Sequence, residues 1–425
     1  MKNLLRNNLL IMIITSFGMF FSLTTFAKDV SIIVSPGKAT LAETFSYLNS
    51  PASLGKDVSV YLLENNITGK YLINPEFGAH SIKFIAPKIL TLRLPVFNGA
   101  HFMITPTCTS SVTFKNISFG NPEGYASDSP VISDGAEFLT GDLILDNCSF
   151  NNCLFKKTAT RGSAVYYAGN DSGMLKIDNC SFNNCHAVGT SYSDGGAIFV
   201  KNSDIVQLKH CSFKDCYSSL NGGAIFGDHN NTIELEHCSF EKCGLYNGTN
   251  CAYGGAISIR NTTESEYIDG CNFKECCGLN GGAIFAKNNC NENLIDCIFE
   301  KCGSCDGINN SYGGAIAQEN NAVPNNSIMS CRFIGCSSSK RGGAIYVNSY
   351  IQIHSCIFTG CEAAGNGGAI YSSDEIGIEV YGNTFSNNFA ACGGALYYLC
   401  PKDYLYLEDN TGIKSGGNHD TIYHG

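Results

Sequence analysis

The chain contains no tryptophan, which removes one common platform for stacking sugars, although tyrosine can take its place. It also lacks a basic excess. The formal charge is -10 and becomes -12 once Lys2 and Arg6 are removed, so no cationic stripe exists to follow a phosphate backbone and nucleic acid is not an expected partner. Only one long hydrophobic run is present, Leu9 to Phe26, preceded by Lys2 and Arg6 and closing on Thr25-Phe26-Ala27. That is the pattern of a secretory signal peptide over residues 1–27. Thr15, Ser16, Gly18 and Thr24 interrupt what a membrane anchor keeps apolar over about 20 residues. No second such run follows, so no transmembrane span is expected after signal removal. An extracellular location, secreted or cell-surface associated, is expected instead. The repeats carry no 3.6-residue apolar period, which excludes a helical solenoid. No nucleophile elbow, phosphate loop or zinc-helix motif is found.

What fills the chain is a repeat. Cys-x-Phe-x-x-Cys occurs at Cys148/Cys153, Cys180/Cys185, Cys211/Cys216, Cys238/Cys243, Cys271/Cys276, Cys297/Cys302, Cys331/Cys336 and Cys356/Cys361. A glycine motif follows each pair, from Gly162-Ser163-Ala164-Val165 through Gly195-Gly196-Ala197-Ile198 to Gly393-Gly394-Ala395-Leu396. Ahead of each Cys unit stands a short alternating pair such as Leu175 and Ile177, Val206 and Leu208, or Ile233 and Leu235. Period two means a short strand with one face buried. The next step breaks parity: Leu235 to Cys238 is odd, Cys238 to Phe240 even, Phe240 to Cys243 odd. Each odd step demands a corner, because a straight strand would turn the next buried side chain outward. Three short strands and their corners describe one turn of a parallel β-helix. A propeller has a longer unit.

Stacking has its own test. Reading up the coils, Lys214, Glu241, Lys274 and Glu300 alternate in sign, as do Asp215, Lys242, Glu275 and Lys301, which predicts two charge ladders between coils about 4.8 Å apart. Gly195 to Gly254 and Gly254 to Gly313 are each 59 residues, so pairs of coils form a longer unit. Its members differ between the second Cys and the Gly pair. Long segments there carry Tyr192, Tyr253 and Tyr312, the candidate binding residues. Toward the start of the mature chain, Leu41, Phe45 and Leu48 have helical spacing and predict a short capping helix within Ala39–Leu48, since a cap protects an edge that otherwise invites strand pairing.

Two coils lack both cysteines and none has just one, so the two positions interact or are selected together. Within-coil disulfides, stacked buried thiols and a metal site are all compatible with the pattern. The metal reading rests on His210-Cys211 and His237-Cys238 in neighbouring coils. Cys251 and Cys305 fall in the long segments and are placed to brace them. Two residues before each first Cys lies a row, Asp146, Asp178, Lys209, Glu236 and Asp269. Adjacent carboxylates suit acid and base chemistry or Ca²⁺, but Lys209 in their midst fits a salt-bridge ladder. No catalytic residue, metal or cofactor is therefore assigned.

Gly-Gly-Ala-Ile paired with Phe-x-x-Asn, written here as Phe385-Ser386-Asn387-Asn388 before Gly393-Gly394-Ala395-Leu396, resembles the repeat of the chlamydial polymorphic membrane proteins. The Cys form, as in Phe240-Glu241-Lys242-Cys243, resembles the related surface proteins of trichomonads. The resemblance covers residues from about 116 to 400 and implies an extracellular right-handed β-helix acting in adhesion and host-cell contact. The expectation is therefore an all-β, right-handed, single-stranded parallel β-helix, a pectin-lyase-like solenoid of about ten coils. Residues 28–110 are expected as an N-terminal cap with irregular early coils, 111–415 as the repeat helix and 416–425 as a tail. Its expected partners are a host-cell or matrix protein or a glycan, with end-to-end self-association as a further expectation. A polysaccharide lyase or hydrolase on the same scaffold is the competing reading.

Overall fold

The computed structural model describes residues 29–425 except 36, 64–68, 74–78, 87–95, 99–100, 105–110, 121–125, 134–140, 246–252, 289–291, 305–310, 321–325, 374–376 and 415–417. The expected signal peptide lies outside the described residues. Three parallel sheets run the length of the molecule. Sheet A has fourteen strands, from Asp29–Val34 to Leu405–Glu408; sheet B has eleven, from Val96–Asn98 to Thr384–Ser386; sheet C has thirteen, from Lys70–Ile73 to Ile422–His424. Neighbours in each sheet are successive coils in register, as in Leu175↔Val206 and Val206↔Ile233. This is a parallel β-helix. Among the described residues no helix is long and apolar enough to cross a membrane.

The corners fall where parity breaks. The residue before each first Cys has positive φ: Asn147 53°, Asn179 52°, His210 51°, His237 51°, Gly270 58° and Asp296 52°. So does the residue before each second Cys, including Asp215 at 50°, Lys242 at 52° and Lys301 at 52°. One left-handed residue turns the chain and restores the inward direction for the Cys that follows. Asn, Asp and Gly tolerate that conformation, whereas Lys242 and Lys301 adopt it at a cost of roughly 1–2 kcal/mol each. The Phe column offsets this strain. From Phe119 through Phe150, Phe182, Phe213, Phe240, Phe273, Phe299, Phe333 and Phe358 to Phe385, ring centroids lie 4.7–5.1 Å apart. Each ring contributes about 1.5–3 kcal/mol by burial.

The third corner needs both glycines for different reasons. Gly195 has φ 65°, while a Cβ on Gly196 would lie 1.9 Å from the carbonyl oxygen of Gly223 in the next coil. The first glycine supplies conformation and the second supplies closeness. Helix α1, Leu41–Leu48, closes the first coil with Leu41, Phe45 and Leu48 buried, and Phe45 stacks on Tyr71 at 4.9 Å. Thr40 and Glu43 form a capping box. The early strands are regular where irregularity was expected: Asp29–Val34, Asp57–Leu62 and Ser81–Ile85 pair in unbroken register. The expected tail also contributes structure, because Ile422–His424 extends sheet C beside Leu396–Tyr398.

All sixteen repeat cysteines are free, buried thiols, at most 2 % exposed. A within-coil bridge is excluded by distance, since a three-residue strand separates the two corners and holds the partners about 10 Å or more apart. Instead each thiol belongs to a column. Cys211 Sγ lies 3.5 Å from the Ile177 carbonyl one coil below, and the Cys148 N–H points at Cys180 Sγ at 3.3 Å. Asparagine does the same in the last of the coils that lack cysteine. Asn383 Nδ2 donates to the Ile353 carbonyl at 2.9 Å and its Oδ1 accepts the Cys356 N–H at 2.8 Å. Asn388 repeats this in the second column with Phe358 and Cys361. In that coil the joint absence is thus a swap to a residue that satisfies the same inward backbone groups. Cys277, outside the columns, is disulfide-bonded.

Candidate binding surface

The acid row occupies one outward register position, Asp146↔Asp178↔Lys209↔Glu236↔Asp269. Its charges are engaged locally. Lys115 pairs with Asp146, Lys209 Nζ lies 2.7 Å from Glu236 Oε1, and His210 Nδ1 lies 3.1 Å from Asp178 Oδ1. The hydrogen bond to Glu236 raises the Lys209 ammonium pKa above its ordinary value. An open depression of about 370 Å³ lies beside Lys115, Asn116, Asp146, Asn147 and Asn179. Its amides serve the corner, Asn147 donating to Asn116 Oδ1 at 2.7 Å and Asn116 donating to the Ala86 carbonyl at 2.9 Å. The mixed His-Cys grouping does not assemble, because His210 and His237 stand outside while Cys211 and Cys238 point inward. Among the described residues no three His, Cys, Asp or Glu side chains cluster as metal ligands.

The charge ladders occupy their expected places. Lys214 pairs in register with Glu241 and Glu241 with Lys274; Lys214 Nζ lies 3.3 Å from Glu241 Oε1 and Lys242 Nζ 3.9 Å from Glu275 Oε2. These contacts are exposed and individually weak. They hold register and leave the remaining edge, between the second Cys and the Gly pair, as the place where coils differ.

On that edge the residue before each Gly pair forms a bridged column, Asp194–Asn221–Tyr253–Asn280–Tyr312–Arg341–Asn366–Cys392. Tyr253 and Tyr312 share it. Tyr192 does not: it sits two residues earlier in the strand His186–Asp194, opposite Ala159, and Asp194 takes the equivalent place. The three tyrosines are therefore not one set, although each lies on this edge. The adjoining segments 246–252 and 305–310, with Cys251 and Cys305, lie outside the described residues.

Tyr253 is half-buried, its ring 4.8 Å from Phe285. The Arg260 guanidinium lies 5.4 Å from Tyr253, 5.7 Å from Phe226 and 5.6 Å from Phe285. Arg260 Nη2 donates to Asn221 Oδ1 at 2.7 Å, and Asn221 Nδ2 donates to Asp194 Oδ1 at 2.6 Å. Burial raises the Asp194 carboxyl pKa, and the Asn221 hydrogen bond opposes the rise. Two coils on, Lys340 Nζ donates to Tyr312 Oη at 3.1 Å and the Arg341 guanidinium lies 4.9 Å from the Tyr371 ring. Each cation over a ring contributes about 0.5–2 kcal/mol, depending on desolvation. An outward aromatic column continues through Tyr346, Tyr371, Tyr397 and Tyr423, with centroids 5.6, 5.1 and 5.4 Å apart. Sequence reasoning missed Arg260, Arg341 and this column. The signal was available: the residue after Gly-Gly-Ala-Ile is aromatic in most copies.

A third feature is a ribbon. Strands Leu154–Arg161 and His186–Asp194 pair over nearly their whole length, with a register shift between Lys157 and Ala159. Among the described residues, the coil below offers only Ala126–Ser127 to this ribbon and the coil above only Tyr217–Ser218. Lys156, Lys157, Thr158 and Ala159 are exposed. No protein-family model and no curated protein matches the chain.

Proposed function

We propose that this protein is a secreted or cell-surface β-helix that acts by adhesion or partner binding and not by catalysis. The carrying observation is where repetition stops. The Cys, Phe and Gly columns recur coil after coil and serve the scaffold, whereas the edge holding the ribbon, Tyr253 with Arg260, and Tyr312 with Arg341 changes from coil to coil. Binding surfaces concentrate on such connecting segments, held by a rigid frame. Aromatic and arginine side chains are also the types that anchor interfaces. The acid row argues the same way, because Lys115, Lys209 and His210 already pair with its carboxylates. The signal-peptide pattern and the repeat resemblance support the extracellular setting. A host-cell or matrix protein, or a glycan, is the partner class.

The test is binding of purified mature protein to cultured cells and matrix components, beside incubation with a polysaccharide panel. Loss of binding in Tyr253→Ala/Tyr312→Ala, with the fold retained, supports the reading. Turnover of any polysaccharide that disappears in Asp178→Asn or Glu236→Gln overturns it.

A further inference from the structure

The ribbon carries a specific mode of recognition. In a parallel ladder, successive residues turn their N–H and C=O groups to opposite neighbours. The His186 N–H donates to the Cys153 carbonyl at 2.7 Å, so Cys153 faces the upper strand, and alternation turns Lys156 toward the lower side. On that side the last paired residue is Phe155, opposite Ser127. From Lys156 to Ala159 no described residue continues the ladder, and all four residues are exposed. Among the described residues this stretch of sheet edge is unpaired.

Its charge selects the occupant. The two strands read LFKKTATR and HAVGTSYSD. Lys156 and Lys157 are exposed, Arg161 leans on Phe199 at 5.1 Å, and the single carboxylate, Asp194, is 7 % exposed. A second copy paired edge to edge would bring lysines against lysines, which is unfavourable. An extended segment rich in carboxylates meets both requirements, hydrogen bonds from its backbone and charge from its side chains. We propose that the outer edge of Leu154–Arg161 is a strand-addition site for an extended acidic peptide segment of a partner protein. This rests on the binding reading above and names its site and ligand chemistry.

The probe is a fluorescein-labelled (Thr-Glu)5 peptide added to the mature full chain, with (Thr-Lys)5 and (Pro-Glu)5 as controls. Fluorescence anisotropy reports affinity, and amide hydrogen exchange reports location. We expect (Thr-Glu)5 to bind, to slow exchange within 154–161, and to weaken at least about tenfold in Lys156→Glu/Lys157→Glu and on raising salt. (Pro-Glu)5, which keeps the charge but loses every second backbone donor and is held by proline in a polyproline conformation, should not slow that exchange. Equal binding of (Thr-Glu)5 and (Thr-Lys)5, binding of (Pro-Glu)5 as tight as (Thr-Glu)5, or protection falling outside 154–161 overturns the proposal. Cell or matrix adhesion that persists in Lys156→Glu/Lys157→Glu, together with no (Thr-Glu)5 protection, overturns this site while leaving the adhesion reading intact. Circular dichroism of the charge-reversed variant checks that the fold survives.

Discussion

Replacing Cys361 separates a buried-thiol role from a generic apolar one. Cys361 Sγ lies 3.6 Å from the Phe333 carbonyl one coil below, and the Cys336 N–H faces it as the Cys238 N–H faces Cys271 Sγ at 3.4 Å. In the coil above, Asn388 performs the same pair of contacts at 3.0 Å to the Phe358 carbonyl and 2.9 Å from the Cys361 N–H. Cys361→Asn therefore exchanges two weak sulfur contacts for two amide hydrogen bonds in a site shape the next coil already accommodates. Cys361→Val fills similar volume but leaves the Cys336 N–H buried without an acceptor, which costs about 1–3 kcal/mol. The first column contains an instructive exception in Ile117. There Pro87 stands two residues past Ile85 as Ile117 stands two past Lys115, its partner in register, and proline has no N–H to satisfy. We expect Cys361→Asn to lie within about 1 kcal/mol of the parent and Cys361→Val to lose about 1–3 kcal/mol. The assay is the urea midpoint at unchanged slope, followed by far-ultraviolet circular dichroism under reducing conditions. Equal destabilisation by Asn and Val would refute the idea that the columns are hydrogen-bonding ladders.

Other outcomes follow from the same geometry. Iodoacetamide should leave the sixteen column thiols unmodified in native protein and label them once urea is added, with half-exposed Cys392 labelled throughout; a native mass showing column disulfides would contradict the structure. Phe273→Ala, removing a fully buried ring stacked at 4.8 Å on both Phe240 and Phe299, should cost about 3–5 kcal/mol. Phe385→Ala, whose ring stacks on Phe358 at 5.1 Å near the end of the column, should cost less, and thermal melts compare the two. The Asp194 pKa is raised in the folded state, so folding favours the protonated carboxyl. Its destabilising contribution is full above the raised pKa and fades as pH falls through it toward the ordinary aspartate range. Asp194→Asn should therefore raise the melting temperature most near neutral pH, and an increment that grew on acidification would count against the burial of that carboxyl.

What the sequence by itself determined is whatever repeats. Odd steps between buried positions, such as Leu235 to Cys238 and Phe240 to Cys243, located corners that His237 and Lys242 occupy at φ 51° and 52°. Signs alternating from Lys214 to Glu300 located coil register, because stacked strands bring equivalent residues together. Helical spacing of Leu41, Phe45 and Leu48 located the cap. These features are local or periodic, so one coil predicts the next.

Only the tertiary structure decided the rest. Cysteine spacing was compatible with bridges, columns and metal, and the choice depended on the span between two corners and on a carbonyl in another coil. Tyr192, Tyr253 and Tyr312 looked equivalent by segment, yet the bridged column admits Tyr253 and Tyr312 and gives Asp194 the place expected for Tyr192. Arg260 bonds to Asn221, 39 residues away in sequence, and among the described residues the ribbon of Leu154–Arg161 and His186–Asp194 extends past the short strands that flank it. Such contacts join residues whose separation in the chain follows no period, so their partners become visible only when the coils are stacked.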